Sequence, residues 1–147
     1  MAHKFSKDIF IPKNPTKYIG KKTIIYRSSW EFSFMRFCDN NPSILKWSSE
    51  SIKIPYRDPL SGKQTIYVPD FLIQYVDKTG VIHVEIIEIK PAKQADISKV
   101  GKNRVGQLLY AKNQAKWKAA EIYCKYKGIK FRVITETDMF MNGKGKG

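Results

Sequence analysis

Three things are scarce in this 147-residue chain: cysteine, histidine and acidic side chains. The two cysteines, Cys38 and Cys124, form no CxxC and no spaced Cys/His set, so neither a disulfide framework nor a zinc site is expected. Both fall in predicted helices and read as free core thiols of a reducing compartment. No apolar run approaches the roughly 20 residues of a membrane span. The opening residues, Met1 to Asp8, lack the apolar stretch of a signal peptide, and a soluble, intracellular protein is expected. Asp and Glu together number 13 against 27 Lys and Arg, giving a net charge of +14 and a pI near 9.8. No basic amphipathic N-terminal helix points that charge at a membrane. A polyanionic partner is the better match, because neutralising phosphates releases counterions.

The length is that of one domain, and no repeat is visible. Residues 1–23 read as a basic arm, broken by Pro12, Pro15 and Gly20. Residues 24–137 read as the folded domain, and 138–147 as a flexible Gly-Lys tail. Ser28, with Glu31 three residues on, is a capping-box start for a helix, and Trp30, Phe34, Phe37 and Cys38 share its apolar face. Pro42 stops that helix. Strands are expected at 51–56, 64–76 and 81–90, with turns at Asp58–Lys63 and Asp77–Gly80. A long helix is expected at 105–127, its apolar stripe drawn from Val105, Leu108, Leu109, Ala115, Ala119, Ile122 and Tyr123. Gly128 follows it as the left-handed stop. A last strand, 129–135, would then run parallel to the third. The three tryptophans, Trp30, Trp47 and Trp117, read as core.

The chemistry concentrates at Pro69-Asp70 and Glu88-Ile89-Lys90. On a period of two, Ile82, Val84, Ile86, Glu88 and Lys90 share one strand face and His83, Glu85, Ile87 and Ile89 the other. Pro69 marks an edge, bulge or break in the preceding strand. Taken singly, Asp70 reads as a solvated acid and Glu88 with Lys90 as a surface ion pair worth about 0–1 kcal/mol. Brought to one end of a hairpin, the two acids could share a hard cation such as Mg²⁺, or Mn²⁺ in its place. Lys90 could then steady a water or the charge that builds on a phosphate. His3 and His83 are too few and too badly placed for histidine-based hydrolysis.

These residues resemble the signature of the PD-(D/E)xK nuclease superfamily in its Glu form, and the element order is similar to that superfamily's restriction-endonuclease-like α/β core: a helix, three-stranded antiparallel hairpins, a long helix and a parallel strand. A narrower likeness, through Tyr26–Glu31, Pro69–Phe71, Glu88–Pro91 and Asn113–Glu136, is to the head completion nucleases of T-even-type tailed phages. A transposon endonuclease subunit looks similar more loosely. The resemblance implies a metal-dependent DNA nuclease, acting as an endonuclease in head completion and head–tail joining. Asp70 and Glu88, with the Ile89 carbonyl, would hold the metal, and Lys90 would act on the water. Glu31 is implied as a further catalytic acid, against its local reading as a helix cap. Arg27, Lys93, Gln107, Lys112 and Lys116 are implied as contacts to double-stranded DNA. Gln107 and Tyr110 depart from the Gln-x-x-x-Tyr spacing of the exonuclease-like branch. The implied partners beyond DNA are phage head or neck proteins, in the host-cell cytoplasm or the virion. The rival readings are a structure-specific repair or transposition endonuclease, and a non-catalytic DNA-binding virion protein.

Overall fold

The computed structural model describes residues 8–138. Strands β1 (Asp8–Ile9) and β2 (Ile25–Tyr26) precede helix α1 (Ser29–Asn40). Then come β3 (Ile44–Ser49), β4 (Ile54–Arg57), β5 (Gln64–Tyr67), β6 (Phe71–Val76) and β7 (Ile82–Ile89). The short helices α2 (Ala92–Ala95) and α3 (Ile97–Val100), the long helix α4 (Arg104–Lys127) and strand β8 (Lys130–Ile134) follow.

The main sheet has the order β3-β6-β7-β8; the first three strands are antiparallel and β8 runs parallel to β7. Successive residues of β7 face opposite layers. Ile87 packs among Phe34, Met35, Cys38 and Trp47 beside α1, whereas Ile86 packs among Trp117, Ala120 and Cys124 of α4. Both isoleucines are fully buried, worth about 1.5–3 kcal/mol each. This is the restriction-endonuclease-like α/β arrangement expected from the motif and element order.

Local signals hold where the sequence states them strongly. Ser28 caps α1, its hydroxyl accepting the Glu31 amide at 3.1 Å. Gly128 ends α4 at φ 73°, its amide closing on Cys124 and Lys125 carbonyls. Cys38 and Cys124 are buried free thiols. Trp47 and Trp117 are buried, and Trp30 packs against the core half-buried.

Other expectations need correction. Strand β3 was hidden in the sequence because a register shift between Ile44 and Lys46 breaks its alternation. The strand expected at 51–56 begins only at Ile54, and it pairs with β5 in a separate two-stranded sheet. The run 64–76 is two strands, because Val68, Pro69 and Asp70 interrupt it and β6 joins the main sheet afresh. On α1, Met35 takes the buried place expected of Phe37, which is exposed.

The apolar stripe of α4 also differs. Its buried side chains are Asn113, Trp117, Ala120 and Cys124, whereas Val105, Leu108, Leu109 and Ile122 are exposed. The helix is roughly 36 Å long, while the eight residues of β7 span about 26 Å. The buried side chains of α4 recur at helical spacing, and Ile122, between the buried Ala120 and Cys124, lies on another face.

The basic N-terminal segment is packed from Asp8 onward. Phe10 is buried against Trp47 and Phe32, and the Phe10 amide donates to the Ile24 carbonyl at 2.8 Å. The buried Asp39 carboxylate accepts the Lys13 and Asn14 amides at 2.8 and 2.9 Å. The Lys17 ammonium donates to the Asp39 and Asn41 carbonyls, placing a cation where the α1 dipole favours one. Most of the Gly-Lys tail, 139–147, lies outside the described residues, as do residues 1–7.

Candidate active site

Asp70 and Glu88 meet because β6 and β7 are antiparallel, with Phe71 opposite Ile87. The next pair outward in that register is Asp70 and Glu88. The Asp70 amide donates to Glu88 Oε1 at 3.2 Å, and the Ile89 amide donates to Asp70 Oδ2 at 2.8 Å. The buried Tyr67 hydroxyl donates to the same Glu88 oxygen at 2.8 Å. Glu88 Oε2 faces the Lys90 ammonium at 3.7 Å. Lys90 is itself anchored, its amide donating to the Ile134 carbonyl of β8 at 3.0 Å.

Glu88 is only 4% exposed, so its contact with Lys90 is no surface ion pair. Burial raises the Glu88 pKa, opposed by Lys90, the Tyr67 and Asp70 hydrogen bonds and Lys116. Burial, then the Glu88 charge, push Asp70 well above the ordinary carboxylate range; the Ile89 amide pulls it back. Glu31 pushes Asp70 up further and Lys90 pulls it down. Two carboxylates in one desolvated corner cannot both ionise cheaply without added positive charge.

Glu31 stands at the start of α1, half-buried, where its charge acts on Asp70 and feels Lys90. Its Oε1 accepts the Arg27 amide at 3.0 Å, one residue beyond the Ser28 amide that a reciprocal capping box would use. The residue thus belongs to the helix start and to the edge of this acidic corner together. Burial raises its pKa, with the Arg27 amide opposing.

The expected DNA contacts are distributed differently. Lys116 comes to the site, its ammonium 5.6 Å from the centre of the Tyr67 ring. Lys112, one turn earlier, faces Asp58 at 3.5 Å. The Arg27 guanidinium is paired with Glu50, Gln107 donates to the Gly101 carbonyl at 3.2 Å, and Lys93 is exposed on α2. Ile89 enters the site through its amide. His83 lies away from Glu88, bonded to Asp77 at 2.7 Å.

Sequence reasoning missed Tyr67 and Glu50. Tyr67 reads as a strand tyrosine; only its burial at the end of β5 reveals it as a donor to Glu88. Glu50 adopts φ 51°, uncommon for a residue with a side chain, and its amide donates to the Asp70 carbonyl at 2.9 Å. Nothing in Ser48-Ser49-Glu50-Ser51 signals this.

Among the described residues, no three His, Cys, Asp or Glu side chains form a cage that could hold an ion unaided. The donor set nonetheless suits a hard divalent cation. Such ions accept one or two carboxylates plus water and substrate phosphate, and the raised Asp70–Glu88 pair is a hard-oxygen site short of positive charge. Among the described residues, no helix is long and apolar enough to cross a membrane.

The profile of the family described as TnsA-like endonuclease N terminal matches residues 41–136. The chain is also 39% identical over 137 residues to the head completion nuclease of Enterobacteria phage T4. That match covers 86% of this chain and 89% of the relative.

Proposed function

We propose that this chain, which belongs to the TnsA-like endonuclease N-terminal family, cuts double-stranded DNA by divalent-metal-dependent phosphodiester hydrolysis at Asp70, Glu88 and Lys90. The observation that carries this reading is the Asp70–Glu88 pair. Two carboxylates are held by backbone amides from each other's neighbourhood, raised by burial, Asp70 further by the Glu88 charge, and faced by a lysine.

Asp70 and Glu88, with the Ile89 carbonyl, would hold Mg²⁺ or Mn²⁺, and the bound cation supplies Lewis acidity toward the phosphate and lowers the pKa of water. The protein's own contribution is positioning. Tyr67 and the Asp70 amide fix one oxygen of Glu88, leaving the other turned to Lys90. The Lys90 ammonium orients the attacking water and stabilises charge on the phosphate oxygens. Glu31 adds a further negative group at the margin of the site. The strong positive charge of the chain draws the phosphate backbone in, with Lys93, Lys112 and Lys116 among the contacts. Arg27 and Gln107 join them once freed from Glu50 and Gly101.

The likeness to the T4 head completion nuclease supports a setting in phage head completion. The protein acts as an endonuclease on phage DNA during head completion, in the host cytoplasm or on the virion, beside head or neck proteins. The test is incubation of purified protein with supercoiled and linear duplex, with Mg²⁺, with Mn²⁺ and with a chelator. Nicking of the supercoiled form that the chelator stops is the expected result. Absence of cutting with either metal overturns the activity, and cutting confined to linear ends overturns the endonucleolytic mode.

A further inference from the structure

Strands β4 and β5 form a two-stranded antiparallel ribbon that shares no strand with the main sheet. One face of the ribbon is buried, with Ile54, Tyr56 and Tyr67 packed among Trp117 and Ala120 of α4. Cross-strand partners share a face, so Pro55 with Ile66 and Arg57 with Gln64 form the other. All four are exposed, Ile66 by 52%. Leu60, at the apex, is 50% exposed. Its turn is fixed: Asp58 accepts the Leu60 amide on its carboxylate at 2.8 Å and the Gly62 amide on its carbonyl at 2.7 Å.

The ribbon starts at the acid pair and leads away from it. Tyr67, at its base, donates to Glu88 and stands beside Lys116; Asp58, at its tip, pairs with Lys112, one turn nearer the start of α4. Because β7 and β8 are parallel, α4 runs back against both, and its start lies at the Glu88 end of the sheet. The ribbon therefore projects beyond the strand end that carries the acids. From Tyr67 to Gln64 it covers roughly 10 Å, about three base pairs of duplex at 3.4 Å each. Lys53, Arg57 and Lys63 are its cations, and its one acid, Asp58, is tied to Lys112.

We propose that the β4–β5 ribbon enters the major groove of the duplex beside the cut, setting Leu60 and Ile66 against base edges, thymine methyl groups above all. This rests on the nuclease reading of Asp70 and Glu88, and it adds a groove contact to the backbone contacts of that reading. The major groove, roughly 12 Å wide, admits a two-stranded ribbon, whereas the minor groove, roughly 6 Å wide, does not. The flanking cations suit the phosphates on either side, and the apolar apex and face suit base edges, where a phosphate would offer them nothing. The bland alternative is a ribbon whose exposed apolar residues are ordinary surface.

Equilibrium binding by the whole chain in chelator, where no strand is cut, tests the proposal on two duplexes of one sequence. One carries thymine and the other uracil throughout. That exchange removes C5-methyl groups from the major groove and leaves the phosphates and the minor groove as they were. The wild type should bind the thymine duplex more tightly, by about 4-fold for each methyl it buries. The double variant Leu60→Ser with Ile66→Thr should bind both duplexes equally and more weakly, with the salt dependence of the wild type because no charge has changed. Both positions are exposed and Thr suits a strand, so the melting temperature should hold; Leu60→Ser alone serves if it does not. Equal wild-type affinity for the two duplexes overturns the proposal, as does a thymine preference undiminished in the folded variant. Nicking of the thymine duplex by wild type in Mg²⁺ is read separately: its absence overturns the nuclease reading, while the binding comparison needs no cutting.

Discussion

Asp70 and Glu88 hold one another through their backbones. The amide of Asp70 binds the Glu88 carboxylate, and the amide following Glu88 binds the Asp70 carboxylate. Each acid is oriented by the strand that carries the other. A shift of β6 against β7 would break both bonds together, so sheet register sets the geometry of the site.

Asp70→Ala and Glu88→Ala are expected to abolish metal-dependent nicking while leaving DNA affinity equal or tighter, since each removes a negative charge near the phosphate. Lys90→Ala should abolish nicking too, and Lys90→Arg should not restore it, because a planar guanidinium does not replace a compact ammonium. Nicking of supercoiled plasmid and filter or fluorescence binding read the two effects. Wild-type-like nicking in folded Asp70→Ala and Glu88→Ala would remove the site from this hairpin.

The same pair makes stability depend on cation and pH. Both folded-state pKa values are raised above 3.8 for Asp70 and 4.5 for Glu88. The stability this contributes is fully present below those ordinary values and is lost as pH rises through the raised ones. At neutral pH in chelator, Asp70→Asn should therefore melt above wild type by roughly 2–4 °C, the effect of about 1 kcal/mol in a domain somewhat larger than this one. The gap should close in acid. Mg²⁺ should raise the melting temperature of wild type and not of Asp70→Asn. Equal melting of the two proteins across pH and metal would show that the pair carries no such repulsion.

Glu31→Gln is expected to lower cleavage several-fold while costing little stability, because Gln still accepts the Arg27 amide. Glu31→Ala should lose both, with a stability cost of about 1 kcal/mol. Full activity in the Gln variant would confine Glu31 to starting the helix.

Asp39→Ala tests the packing of the basic N-terminal segment. The buried carboxylate receives two amides of that segment, and their loss should cost about 2–4 kcal/mol. Hydrogen exchange at Lys13 and Asn14 should rise. A loosely attached arm would leave denaturant stability within about 0.5 kcal/mol of wild type.

How far the chain could be read depends on which signals are local. Ser28, Pro42, Gly128 and the two turns act through neighbouring backbone groups, so α1, the hairpins and the end of α4 were legible. Asp70, Glu88 and Lys90 were legible as chemistry because an acid after a proline and an acid two residues before a lysine stand out from apolar strands. Strand β3 was not legible, because its bulge erases the period of two. The apolar stripe of α4 was misplaced, because this helix carries apolar residues on more than one face and only packing against the sheet selects Asn113, Trp117, Ala120 and Cys124 as the buried one.

The sequence by itself determined the charge excess, the caps and turns, and the acids and lysine able to act on a phosphate. Tertiary structure alone decided that Tyr67 from β5, Glu50 after β3 and Lys116 from α4 surround them. The reason is physical. Helix caps and turns are contacts over a few residues, fixed by chain geometry. The raised carboxylates and their neighbours depend on burial and on distances between strands and helix that only folding sets.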